Sequence, residues 1–321
     1  MKIVYMGTPD FSVPPLEKMI EAGHEIVAVV TQPDKPKGRS DQPMPSPVKE
    51  CALKHDLKIL QPGKIREAEV VEELKKLDAD IFVVAAFGQI LSQEVLDIPR
   101  FGCVNIHASL LPKYRGAAPI QMCILNGDKT TGVTIMQMNA GMDTGDILIT
   151  KEIPIEEDDT AGTLFDKLMY LGADLIVEAL PKIEKGELTP TPQNDSEATK
   201  CGKISKEMGC INWSDSAEKI SYLVRGMNPW PSAYTNLNGK MLKVWKAKAF
   251  SKEEFSKLDG AKQCSGNEKP GTVCLVTKKD FYVSTGEGVL QILELQLAGK
   301  KRMDAAAFLL GYTLNAGDTL S

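Results

Sequence analysis

Apolar positions in the first two hundred residues alternate between two periods. KIVYMG (2–7) and EIVAVVTQ (25–32) are continuous β-branched runs, and VPPLEKMIEAG (13–23) between them has helical spacing and stops at Gly23. LKILQP (57–62), DIFVVAAFG (80–88), CVNIHAS (103–109) and TGVTIMQM (131–138) are further strand candidates, separated by helical stretches such as REAEVVEELKKLDA (66–79). A long helix is expected over about 161–185. Strands alternating with helices predict βαβ units, hence an α/β, Rossmann-like domain with a mainly parallel sheet and helices on both faces. Ligands of such sheets sit beyond the carboxyl ends of the strands.

The texture then changes. ELTPTPQNDSEATKCGK (187–203) is polar, lacks apolar periodicity and reads as a linker. Beyond it lie short strand patterns: YTNL (234–237), MLKVWKAKAF (241–250), GTVCLVT (271–277), FYVST (281–285) and VLQILELQL (289–297). Asn238-Gly239 sits between two of them in hairpin position. These predict a smaller, mostly antiparallel β-barrel of OB-like type with one helix near 215–226. The expected organisation is a catalytic domain over 1–186, a linker over 187–206 and a barrel over 207–321.

Charge sharpens the division. Residues 208–321 carry 15 Lys and Arg against 11 Asp and Glu, a net of +4; the remainder carries 23 against 32, a net of −9. A positive second half in an acidic chain suits contact with a polyanion. The apolar runs are strand-length, too short to cross a bilayer, and the start enters a strand pattern with no signal peptide. Seven cysteines without a CxxC pair, and only three histidines, give no metal motif and point to reduced thiols in a cytoplasmic protein.

Candidate chemistry gathers at three places. MGTPDF (6–11) follows a strand but is not G-x-G-x-x-G and has no acidic residue for a ribose, which disfavours a nicotinamide cofactor. Asn105 and His107 lie two apart at the end of a predicted strand and so project to one side. A polar pair at that end is poorly suited to core packing. In NAGMDTGDIL (139–148) two glycines flank Met-Asp-Thr, and either Asp143 or Asp146 could serve as an acid or simply cap a turn.

NIHASLLPKYRGAAPIQ (105–121) followed by TGVTIMQMNAGMDTGDIL (131–148) resembles the folate-dependent formyltransferase superfamily, with its Asn-x-His, Ser-Leu-Leu-Pro and later Asp-x-Gly. MGTPDF, TQPDKPKGR, MPSPVK, RGAAPIQ and RGMNPWPSAYT resemble more closely the branch that formylates the amino group of initiator methionyl-tRNA. The resemblance implies 10-formyltetrahydrofolate as donor, no metal, and a monomer. It implies that Asn105 and His107 donate to the formyl oxygen, His107 preferably as imidazolium, and that Asp143 holds His107 charged and turned. Ser109, Leu110, Leu111 and Pro112 match a folate-contacting turn, and Phe87, Gly88, Gln89, Ile90, Asn139 and Gly141 match contacts for the pteridine.

For the RNA, the resemblance implies Lys35, Lys37 and Arg39 of the Pro-rich loop 33–47, expected to order only on tRNA. Arg39 is followed here by Ser40, Asp41 and Gln42, where the family usually carries further basic residues. Lys240, Lys243, Lys246 and Lys248 are candidates for phosphate contact in the second half; strict alternation would turn Lys243 away from the other three. A sugar-nucleotide formyltransferase or a formyltetrahydrofolate hydrolase would share Asn105, His107 and Asp143. RGAAPIQ, the charged loop and the basic second half favour tRNA.

Overall fold

A computed structural model describes residues 1–36, 42–261 and 268–321, arranged in two compact units. Lys37 and Arg39 lie outside the described residues.

The first unit is built on a seven-stranded sheet. Its strands are β1 (Lys2–Gly7), β2 (Glu25–Val30), β3 (Ile59–Leu60), β4 (Ile81–Ala85), β5 (Cys103–His107), β6 (Thr130–Gln137) and β7 (Ile147–Pro154), in the order β7-β6-β5-β4-β1-β2-β3. Five strands run parallel; β6 joins β5 antiparallel and β7 joins β6 likewise. Its longer helices are α1 (Val13–Glu21), α2 (Pro47–Lys54), α3 (Ala68–Lys76) and, from Phe165 onward, α4 (Ala161–Glu184).

The continuous apolar runs follow from burial on both faces. Val4, Met6, Phe82, Val84 and Cys103 pack with Val71 and Leu74 of α3 on one face. Their neighbours Ile3, Tyr5, Ile81, Val83 and Ile106 are buried on the other, where Gly172 of α4 lies against Ile106 and Val133.

The loop after β2 is not without structure. Lys35 and Pro36 pair antiparallel with Met44 and Pro43, so Lys35 stands in a short ribbon rather than in the disordered loop expected of it. Its base is pinned: Lys49 Nζ lies 2.6 Å from Asp34 Oδ2, Gln61 Nε2 donates to Asp34 Oδ1 at 2.7 Å, and the hydroxyls of Thr31 and Ser46 meet at 2.7 Å. The bonds from Lys49 and Gln61 hold the Asp34 carboxyl below the usual carboxylate range.

The second unit comprises Lys203–Ser321 together with Ile120–Lys129 and Ile155–Leu164. Its strands β8 (Ala233–Leu237), β9 (Lys240–Phe250), β10 (Val273–Val276), β11 (Phe281–Ser284), β12 (Val289–Leu297) and β13 (Met303–Asp304) form an antiparallel sheet in the order β8-β9-β12-β11-β10, with β13 on β12. The last residues join its two edges, since Leu320 bridges Leu237 and Thr319 bridges Thr272. Closing the edges leaves no long unpaired strand among the described residues of this unit. Asn238 (φ 49°) and Gly239 (φ 73°) make the expected tight hairpin.

The helix expected near 215–226 is α5 (Ala217–Gly226), whose Ala217, Ile220 and Val224 enter the barrel core. The sequence reading missed α6 (Ala305–Gly311), capped by Asp304 and burying Ala305 and Phe308. Its short Ala-Ala-Ala-Phe-Leu-Leu run carries too little periodicity to be told from a loop.

A bulge in β9 changes which lysines share a face. The register with β12 slips around Lys246, so Leu242 and Val244 enter the core before it and Ala247 and Ala249 pack on the core after it. Both strands are irregular there: the pairing slips by one at Lys246 and is restored at Ala247↔Ile292, and the facing of β9 and of β12 is inverted beyond it. Lys243, Lys246 and Lys248 therefore all point outward, correcting the expectation that Lys243 opposes the others. Lys240, at the exposed start of the strand, keeps the parity of Leu242 and is the odd one.

Candidate active site

β5 pairs with β4 through Phe82↔Cys103 and Val84↔Asn105. Asn105 and His107 thus continue the face that buries Phe82, Val84 and Cys103, and carry it past the core to the carboxyl end of the sheet. The half-buried Asn105 amide has no hydrogen-bond partner among the described residues. His107 is 6 % exposed.

Both ring nitrogens of His107 have partners. Nε2 lies 3.1 Å from the Tyr114 carbonyl, so it carries the proton, and Nδ1 lies 3.7 Å from Asp143 Oδ1. Tyr114 (φ 61°) and Asp143 (φ 54°) are both left-handed, an unfavourable conformation for non-glycine residues that the surrounding bonds must hold. Of the two aspartates the sequence left open, Asp143 is the one that meets the imidazole.

Burial lowers the pKa of His107 below its ordinary 6.5, while Asp143 and the Tyr114 carbonyl pull it up, and the net direction is down. This direction disfavours the standing imidazolium expected of His107, because desolvation outweighs one carboxylate at 3.7 Å.

Asp143 is itself held. The Gly116 N–H donates to its Oδ2 at 2.8 Å, leaving Oδ1 for His107. Gly116 has φ 128°, and a Cβ there would stand 2.1 Å from the Cys201 carbonyl oxygen, so only glycine brings this N–H into place. Gln193 Nε2 donates to the carbonyls of Asp143 (2.9 Å) and Gly145 (2.6 Å). Arg115, with a side chain 8 % exposed, donates from Nε to Gln193 Oε1 at 2.9 Å and from Nη2 to Asp195 Oδ1 at 2.8 Å.

Residues 187–202, read as linker, thus belong to this site. Thr191 bridges Ile147, Lys200 and Cys201 pair with Arg115 and Gly116, and Thr199 bonds at both Tyr114 and Arg115. Isolated polar bonds of this kind leave no periodic trace, which is why the sequence reading missed Tyr114, Arg115, Gly116 and Gln193.

The turn after β5 is similarly fastened. Ser109 Oγ donates to the Lys113 carbonyl at 2.7 Å, and Thr134 Oγ1 donates to the Ser109 carbonyl and accepts from the Leu111 N–H. Leu111 is buried, Leu110 is partly so, and the Pro112 carbonyl accepts from Thr199 N–H. Asn139 Oδ1 accepts from the Gly141 N–H and the Thr144 hydroxyl, so its side chain closes its own loop.

Beyond β4, the Phe87 side chain lies in the core and its carbonyl accepts from Thr8 and Gln32. Gly88 (φ 83°) turns the chain, Gln89 is bound to Ile65, Pro62 and Gly63, and Ile90 stands 75 % exposed. The described part of the chain thus brings Asn105, His107 and Asp143 together. Lys240, Lys243, Lys246 and Lys248 belong to the second unit.

Glu17, Cys51 and His55, on α1 and α2, have donor atoms within 4.8 Å of one another. The Cys51 thiol donates to Glu17 at 3.9 Å, and burial pushes its pKa up to about 11, a protonated state that binds metal poorly. No helix among the described residues is long and apolar enough to cross a membrane.

Fold and sequence define a formyl transferase in two parts: residues 1–180 match the formyl transferase family and 203–313 match the formyl transferase C-terminal domain. An N-formyltransferase from Helicobacter canadensis, solved with folinic acid and dTDP-3-aminofucose, shares the fold at TM-score 0.65 and 21 % identity, over 94 % of this chain and all of that one. HypX from Aquifex aeolicus has TM-score 0.62 at 18 % identity over 97 % of this chain, which spans about half of HypX (48 %). The methionyl-tRNA formyltransferase of Agathobacter rectalis is 54 % identical over 99 % of this chain and 98 % of its own length. The chain belongs to the formyl transferase family, and within it to the methionyl-tRNA formyltransferases.

Proposed function

We propose that this chain moves the formyl group of 10-formyltetrahydrofolate onto the amino group of initiator methionyl-tRNA, with Asn105, His107 and Asp143 as the catalytic residues. The observation that carries the residue assignment is an unpartnered Asn105 amide beside a buried His107 that faces Asp143 at 3.7 Å.

Formyl transfer joins a neutral amine to the formyl carbon, places negative charge on the formyl oxygen, and then breaks the bond to the folate nitrogen. An α-amino group titrates near ~8 and an adjacent ester lowers it, so no strong base is needed to expose the lone pair. Asn105 supplies an N–H to the developing oxyanion. His107 accepts the amine proton at Nδ1, becoming an imidazolium that Asp143 stabilises, and returns a proton to the departing folate nitrogen. A ring that bears charge only during transfer, with Asp143 beside it to stabilise that charge, serves this sequence better than a standing imidazolium.

The fastened turn Ser109–Pro112, the Gly88–Ile90 stretch and the Asn139–Gly141 loop are the donor cradle. Their side chains are largely engaged with the protein, so backbone groups and the exposed Ile90 make the contacts. The tRNA body lies on the outer face of the barrel, held by Lys243, Lys246 and Lys248 with Lys240 at its rim, while the loop carrying Lys35, Lys37 and Arg39 meets the acceptor end. Residues 1–186 do the chemistry and 207–321 hold the RNA. The protein acts in the cytoplasm as a monomer.

The test offers the formyl donor with charged initiator tRNA and, separately, with an amino-sugar nucleotide. Formylation of the tRNA alone is expected, and Asn105→Ala should lower kcat by a factor corresponding to roughly 2–4 kcal/mol. Turnover of the sugar nucleotide at comparable rate would overturn the acceptor, and undiminished kcat in the variant would overturn the role of Asn105.

A further inference from the structure

We infer that Gln193, oriented by Arg115, is a positioning residue that holds Asp143 against His107, so that the segment after α4 takes part in catalysis. The inference rests on the proposed roles of His107 and Asp143.

Asp143 has a left-handed backbone that only its surroundings maintain. Gln193 spends both amide hydrogens on the two carbonyls that bracket Thr144, at 2.9 and 2.6 Å, and so fixes the peptides on either side of the bend. An amide can flip; this one cannot, because Arg115 Nε–H occupies its oxygen at 2.9 Å. A flipped amide would put NH₂ against a guanidinium and oxygen against two carbonyls. Arg115 is nearly buried, anchored outward by Asp195, and its chain neighbour Gly116 supplies the N–H that holds Asp143 Oδ2. One short segment thus controls both the backbone and one carboxylate oxygen of Asp143.

What remains adjustable is the approach of Oδ1 to His107 Nδ1. At 3.7 Å a small rotation of the loop either closes or breaks this contact. Without the clamp the loop relaxes from its left-handed bend and the carboxylate withdraws, so His107 loses a partner that raises its pKa and titrates at lower pH. A residue that merely stabilised the fold would lower the melting temperature without moving that titration.

The experiment uses the full chain with Gln193→Met, which keeps length and loses both donors, and Gln193→Asn, which keeps the amide and loses one methylene of reach. Turnover is measured with methionyl-tRNA, and the His107 imidazole is titrated by NMR in the free enzyme. For Gln193→Met, kcat should fall about ten- to a hundred-fold, with KM for the folate donor changed by less than about twofold and the His107 titration moved to lower pH. Gln193→Asn should give a smaller loss of the same kind, and Arg115→Lys, whose single ammonium replaces the separate nitrogens that hold Gln193 and Asp195, should resemble it. Unchanged kcat and unchanged titration in either folded Gln193 variant would overturn the inference. A shifted titration with undiminished kcat would uphold the clamp and overturn the catalytic assignment of His107 and Asp143. Should Gln193→Met not fold, the Asn variant decides alone.

Discussion

Replacing Asp143 by asparagine removes one charge and little else. The side-chain oxygen can still accept the Gly116 N–H now made at 2.8 Å, and asparagine tolerates the left-handed backbone at φ 54°. The loss is the Coulomb attraction between the carboxylate and the imidazolium formed during transfer. At 3.7 Å and an effective dielectric constant of about 20, that attraction is about 4 kcal/mol. The transition state carries part of this charge, so kcat should fall by roughly two to three powers of ten. Folate binding, which involves no charged His107, should hold. Single-turnover formylation with labelled donor reads the chemical step, and a separate donor titration reads binding. Turnover within about threefold of wild type would refute the electrostatic argument. A larger loss in Asp146→Asn than in Asp143→Asn would show that the wrong acid was assigned.

Two further outcomes follow from burial and charge. Because His107 binds its proton less readily folded than unfolded, stability is unaffected well above pH 6.5 and declines as pH falls through 6.5 towards the folded value. The slope contributed is at most about 1.4 kcal/mol per pH unit, and His107→Gln should remove it from urea unfolding curves; an unchanged slope would mean that His107 charges freely in the fold. Converting Lys243, Lys246 and Lys248 to glutamine should leave donor affinity alone and flatten the dependence of log tRNA affinity on log salt by roughly 2 to 3. If the slope keeps its wild-type value, this face does not touch the RNA.

Much of this architecture was legible because it repeats along the chain. Unbroken β-branched runs such as KIVYMG and IFVVA become strands buried on both faces, and the amphipathic stretches between them become the covering helices. Asn105 and His107 could be paired on paper since alternation needs only the neighbouring residues, and Asn238-Gly239 carries its turn in its own backbone preference. The change of texture and of charge after residue 207 marked the second half for the same local reason.

What the tertiary structure decided lies between residues distant in sequence. Asp143 rather than Asp146 faces His107 because a left-handed bend, thirty-odd positions along, turns that one carboxylate inward. Residues 187–202 carry no apolar period, yet single polar side chains such as Gln193 and Thr199 tie them to the site. The phase of the β9 lysines turns on a bulge, visible only in how that strand registers with β12. The charge state of His107 could not be read from its partner alone, since the pKa depends on how much water the folded protein removes from both. Local patterns determine which elements form, because propensity and periodicity act over a few residues. Register, burial and the meeting of remote polar groups are properties of the packed chain, and those set the chemistry of the site.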